Sequence, residues 1–120
     1  MEHEMKLWRE SFLSVFEGRK TVEMRLFDEK RARIALGDTI VFRESGGTGE
    51  VRCSVVGLCR YPDFETLYRH HDPVSIGYAP GERASASDML AYYSREDIER
   101  YGVLGICVQL LPEMEEIEIL

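Results

Sequence analysis

The apolar residues of TVEMRL, residues 21–26, fall on every second position. Val22, Met24 and Leu26 alternate with Thr21, Glu23 and Arg25. A period of two belongs to a half-buried β-strand, whose successive side chains point to opposite faces. It places Thr21, Glu23 and Arg25 on one face, with Cβ atoms about 7 Å apart along it. Two further β-runs follow. TIVFRE, residues 39–44, is entered through a Gly37-Asp38 turn, and EVRCSVVGLCR, about residues 50–60, comes after the glycine-rich SGGTGE. Two β-runs around such a turn make a hairpin. Gly57 inside the long run predicts a bulge or bend of the kind barrels need.

Helical spacing flanks these strands. Met5, Trp8, Phe12, Val15 and Phe16 recur at threes and fours, predicting an amphipathic helix over 5–17 closed by Gly18 as a left-handed cap. FDEKRARIAL reads as a loop with a short helical turn, and PDFETLYRH as a short helix with Phe64, Leu67 and Tyr68 inward. HDPVSIGYAPGERASAS, rich in Pro and Gly, is the least regular stretch and the expected mobile loop over a site. Ser85 with Asp88, and Ser94 with Asp97, have capping-box spacing and start two short helices, the second ended by Gly102. VLGICVQLL reads as a buried strand and MEEIEIL as a final one. The expected order is α, β, β, β, α, α, α, β, β, an α+β chain folded as a small mixed β-barrel with peripheral helices.

At 120 residues, without repeat, linker or low-complexity run, residues 1–120 are expected to form one domain. The chain is 44% hydrophobic and 31% charged, and no apolar run approaches the ~18 residues of a membrane span. MEHEMKLWRE is too acidic for a signal peptide, so a cytoplasmic address is expected. Cys53, Cys59 and Cys107 fit neither a disulfide framework nor a zinc pattern and read as free buried thiols. His70 and His71 are adjacent, with no third ligand at metal spacing, so neither a metal nor a cofactor is expected.

The net charge of −7 argues against indiscriminate binding to nucleic-acid backbone. The charge is unevenly spread: residues 18–33 hold six cations and three acids, leaving −10 for the rest. A local basic zone on an acidic body suggests a specific anionic or polar ligand.

FEGRKTVEMR (16–25), a downstream IALGDTIVF (34–42), and YYSREDIERYGVLGICV near the C-terminus together resemble the ASCH domain, the activating-signal-cointegrator homology family of the PUA-like superfamily. The resemblance spans roughly residues 5–110. It implies a β-barrel with helices around it, a cleft lined by the signature strand, and an association with RNA. Some small bacterial members are amidohydrolases that deacetylate N4-acetylcytidine through a G-x-K-T-x-T-x-R motif. Their lysine matches Lys20, but the threonine assigned as nucleophile falls on Glu23, and their catalytic acid has no matching motif here. A carboxylate cannot follow the acyl-threonine route, although it can activate water.

The candidate ligand-binding residues are Lys20, Thr21, Glu23, Arg25, Lys30, Arg31, Tyr93 and Ser94; Lys20 and Glu23 are the candidate catalytic pair. Each has a plainer reading. Lys20 has the wrong parity for the strand face and suits a solvated turn; Glu23 and Arg25 suit a surface ion pair worth ~0–1 kcal/mol. Lys30, Arg31 and Arg33 are a phosphate clamp at the cleft mouth or a solvated helical turn. Tyr92 and Tyr93 offer a stacking surface for a base, or pack in the core. The leading expectation is a module binding RNA or a nucleotide-like ligand in a basic cleft on residues 19–33. The rivals are an amidohydrolase acting on an N4-acylated cytidine-type nucleoside, and an adaptor that binds a protein partner through its acidic C-terminal strand while the cleft stays inert.

Overall fold

The computed structural model describes residues 1–112; the strand expected at MEEIEIL lies outside the described residues. Five strands form a mixed half-barrel sheet in the order β1-β3-β4-β5-β2, with helices against both faces. The strands are β1 (Glu2–Leu7), β2 (Val22–Leu26), β3 (Thr39–Glu44), β4 (Glu50–Tyr61) and β5 (Val103–Leu110). The helices are α1 (Arg9–Phe16), α2 (Phe64–His70) and α3 (Arg95–Tyr101), with 3₁₀ segments at Arg31–Arg33 and Ala86–Ala91. β1 pairs parallel with β3; the other three pairings are antiparallel.

The first element corrects the helix expected over 5–17. Residues 2–7 are a strand, and the helix begins only at Arg9. EHEMKL alternates as well: Met5 and Leu7 are buried, while Glu4 and Lys6 are exposed. Pairing with β3 satisfies the backbone along this run and decides for the strand. Outward, Glu2 and Glu4 meet Arg52 and Arg43 at 2.7 Å each. Gly18 ends α1 at φ +79°, a left-handed turn that a Cβ would strain.

Gly57 marks a bulge, where the β4–β5 register shifts between Val55 and Gly57. The shift reverses the alternation. Cys53, Val55 and Leu58 therefore pack into one core, while Tyr61 and Cys107 pack into the other. Cys53 and Cys59 thus do not share a face; Cys59 lies near Cys107, whose thiol is raised by burial and then by that neighbour.

The core on the α1 side joins Met5, Leu7, Phe12, Val15, Ile40, Phe42, Val55, Leu104 and Ile106. The opposite core joins Val22, Met24, Leu26, Phe64, Leu67, Ile76, Met89 and Val103 under α2, the 3₁₀ helix and α3. β2 is consequently covered on both faces rather than half-buried. Glu23 and Arg25 stand opposite Ile106 and Leu104 in the β2–β5 register.

Candidate functional site

Among the described residues β1 and β2 are the two edges of the sheet, and the half-barrel is open between them. A cleft of about 430 Å³ occupies this region. Three stretches line it: Lys6 to Ser11 at the β1–α1 corner, Lys20 to Arg25, and a third set from Tyr68 to Tyr93. The volume lies within the range of small-ligand pockets, roughly 300–1,000 Å³.

Lys20, Glu23 and Arg25 form an ion triad, with Lys20 and Glu23 buried and Arg25 partly exposed. Lys20 Nζ lies 3.0 Å from Glu23 Oε1, and Arg25 Nη2 lies 3.1 Å from Glu23 Oε2. The Met24 backbone N–H also donates to Glu23 Oε1 at 2.9 Å. Burial pushes the Glu23 carboxyl up, but the Lys20 and Arg25 charges and the hydrogen bonds from Lys20 and Met24 outweigh it. The carboxyl is held below its ordinary 4.5, and Glu23 is ionised at neutral pH.

The position of Lys20 departs from the solvated-turn reading. The chain leaves α1 with the Arg19 and Lys20 N–H groups both bonded to the Ser14 carbonyl, and β2 starts only at Val22. Strand parity does not extend to residue 20, so its side chain folds back onto Glu23 at 6% exposure. Its Nζ also reaches Ser11 Oγ at 3.4 Å. Gly77, at φ +119°, lies along its stem; a Cβ there would sit 3.4 Å from Lys20 Cδ.

The remaining candidates separate. Thr21 is exposed ahead of β2 and is not among the lining residues; its backbone N–H bonds Ser75 O. Lys30 borders a different, open depression with Arg33 and Arg100. Arg31 is turned to Asp28 at 3.0 Å, its Nε buried without a hydrogen-bond partner among the described residues. Ser94 Oγ accepts the Asp97 N–H as the cap of α3, as its spacing predicts. Ser85, by contrast, makes no side-chain cap. Tyr93 does line the cleft, stacked on Phe64 with centroids 5.9 Å apart. Its hydroxyl pKa is raised by burial first, with Arg25 opposing and Glu23 adding.

Sequence reasoning missed Lys6, Trp8, Ser11, Gly77, Tyr78 and Asp88 as lining residues. The irregular loop was the available signal for Gly77 and Tyr78. A polar relay fastens this loop: Tyr68 and Tyr78 share a hydroxyl–hydroxyl bond of 2.8 Å, and Tyr78 donates to Asp88 Oδ2 at 2.7 Å. Nor is the cleft basic. Lys6, Lys20 and Arg25 face four carboxylates, those of Glu10, Glu23, Glu82 and Asp88.

The family model for the ASCH domain matches residues 5–112. The chain belongs to the ASCH domain family. Two solved structures share the fold of this ASCH domain. The crystal structure of hypothetical protein PH0355 is 27% identical, with a TM-score of 0.80, covering 92% of this chain and 100% of that one. The solution structure of protein PF0455 from Pyrococcus furiosus is 30% identical, with a TM-score of 0.69, covering 92% and 98%. No curated protein matches the chain. The ASCH domain holds no helix, among its described residues, long and apolar enough to cross a membrane.

Proposed function

We propose that this ASCH domain binds RNA, or a nucleotide-like ligand, by receiving one unpaired base in the cleft between β1 and β2. The observation that carries the reading is the triad. A buried carboxylate fixes two cationic groups within a base-sized cleft, where polar groups are worth more than in water. Arg25 uses Nη2 for Glu23 and for the Lys6 carbonyl, while its Nε and Nη1 have no acceptor among the described residues. Each of those free donors can meet a single acceptor on a base edge. Balanced charge in the cleft favours a neutral base over phosphate, and single-stranded RNA presents such bases unpaired.

The amidohydrolase reading draws less support. Both Glu23 oxygens are engaged and its basicity is lowered, which opposes a role in activating water. The other lining acids include Asp88, bonded to Tyr78, and Glu82, bonded to the Ala79 N–H.

The test is equilibrium binding of short single-stranded RNAs and mononucleotides at low salt, with N4-acetylcytidine turnover assayed in parallel. Binding that weakens in Lys20→Gln and Arg25→Lys, without acetate release, is the expected result. Failure to bind any of these ligands overturns the proposal. Acetate release that Glu23→Gln abolishes would replace it with the hydrolase.

A further inference from the structure

We infer that Trp8 and Tyr92 are the stacking faces of the cleft, receiving the flat ring of a single nucleobase over the Lys20–Glu23–Arg25 floor. The inference rests on the binding reading above and names what the mouth of that site does. Trp8 is 69% exposed and Tyr92 62%, yet both line the cleft, from the β1–α1 corner and from the end of the 3₁₀ helix respectively.

Neither packing nor helix chemistry explains Trp8. It belongs to neither hydrophobic core. It stands at the N-cap of α1, where its side chain makes no capping bond and where Ser, Thr, Asp or Asn would supply an acceptor. A lone exposed apolar residue is ordinary. Two exposed aromatic rings on one cleft, above a polar triad, match the architecture of single-strand readers, in which an aromatic face holds the ring and polar groups read its edge. Tyr93, stacked on Phe64, is immobilised beside them and supports the wall.

The chemical class follows from the same groups. Four carboxylates against three cations make the cleft a poor seat for phosphate, whereas stacking requires no charge. The base enters and the phosphates remain outside. A base inside a duplex has its faces covered by neighbours, so the partner is single-stranded RNA or a free nucleotide.

Trp8 is the chain's one tryptophan, so its fluorescence reports on this ring alone. The full chain is titrated with cytidine and guanosine monophosphates and with ribose 5-phosphate as the baseless control, alongside calorimetry. The expected result is quenching by the nucleotides and none by ribose 5-phosphate. Trp8→Ser and Tyr92→Ala should each weaken nucleotide binding roughly five-fold or more, while Trp8→Phe retains most of it. Thermal midpoints no lower than that of wild type in the variants separate lost stacking from lost structure. Calorimetric binding that depends on Lys20 yet leaves Trp8 fluorescence and Trp8→Ser affinity unchanged overturns the stacking assignment and leaves the floor standing. Equal quenching by ribose 5-phosphate would make the mouth a phosphate site and also overturn it. Absence of any nucleotide or RNA binding overturns both readings.

Discussion

Arg25 Nη2 on β2 donates to the Lys6 carbonyl on β1 at 3.1 Å, so one guanidinium spans the opening between the two edge strands of the sheet. The same nitrogen bonds Glu23 Oε2. Arg25 therefore serves as a strut across the half-barrel as well as a member of the triad. Its planar fork can meet two acceptors at once, which a lysine ammonium on a flexible stem does less well.

Arg25→Met is expected to remove both bonds. Lys20 remains beside Glu23, so the loss should lie at or below the lower end of the ~3–5 kcal/mol typical of breaking a buried pair. Chemical denaturation gives the magnitude. Amide exchange should quicken along β1 and β2 before it does in β4 and β5. Uniform acceleration over all five strands would show that Arg25 is not a strut.

Glu23→Gln leaves the buried Lys20 and the partly buried Arg25 as neighbouring cations without their counter-charge, with an expected cost of about 3–5 kcal/mol at pH 7. The sign of the pH dependence follows from the lowered carboxyl. A depressed folded-state pKa contributes stability that is fully present above the unfolded value near 4.5 and is lost as pH falls through the folded value. The stability gap between wild type and Glu23→Gln should thus be constant above about pH 5 and narrow in acid. Denaturant midpoints from pH 3 to 7 check it; a gap that widens in acid contradicts the ionised triad.

Gly77→Ala probes the loop over the site. At φ +119° an alanine is strained whatever space surrounds it, at a cost of about 1–2 kcal/mol. The added methyl would only touch the Lys20 stem, so backbone strain dominates. Relief of that strain should move the loop and the Lys20 ammonium with it, weakening ligand binding beyond any loss of stability. Comparing affinity and thermal midpoint in Gly77→Ala and Tyr78→Phe separates the two, because Tyr78→Phe cuts the latch to Asp88 without straining the backbone.

Ligand binding should respond weakly to salt. Each phosphate held on a single strand contributes a slope of about −0.7 to log K against log salt. A cleft whose cations are balanced should engage at most two phosphates, for a slope no steeper than about −1.4. Titrations with one short RNA from 50 to 200 mM salt measure this. A slope several times steeper would return the binding surface to Lys30, Arg31 and Arg33.

What was legible in the sequence was what local chemistry dictates. Alternation gave β2 and the hairpin of β3 and β4; Gly18 marked the end of α1, Gly57 the bulge and Ser94 the cap of α3. β1 was lost because Met5 fits a helical spacing with Trp8 and Phe12 as well as a strand spacing with Leu7. The choice was made by a parallel partner more than thirty residues later. At the site, Glu23 and Arg25 were legible as a same-face pair. Lys20 was named through the signature but its orientation was not legible, because counting by twos fails two residues ahead of the strand, where the Ser14 carbonyl turns the backbone. The basic run of residues 30–33 looked like part of the cleft in a linear tally. Arg31 and Arg33 are instead directed to Asp28 and Glu29, and Lys30 borders a separate depression.

At Trp8 stability and ligand binding pull in opposite directions. Trp8 occupies an N-cap with extended backbone, φ −61° and ψ 156°, which serine adopts readily, and its ring is largely in solvent. Trp8→Ser therefore forfeits little buried surface and supplies a hydroxyl to an unpaired N–H in the first turn of α1. A good cap in place of a poor one stabilises by about 0.5–2 kcal/mol. The variant should unfold at a higher temperature while binding nucleotides less well, whereas Trp8→Ala, which adds no cap, should lose binding without that gain. A protein retaining a destabilising tryptophan at a helix start is expected to use its ring. If Trp8→Ser is instead less stable than wild type, the ring packs against the protein and is not held free for a ligand.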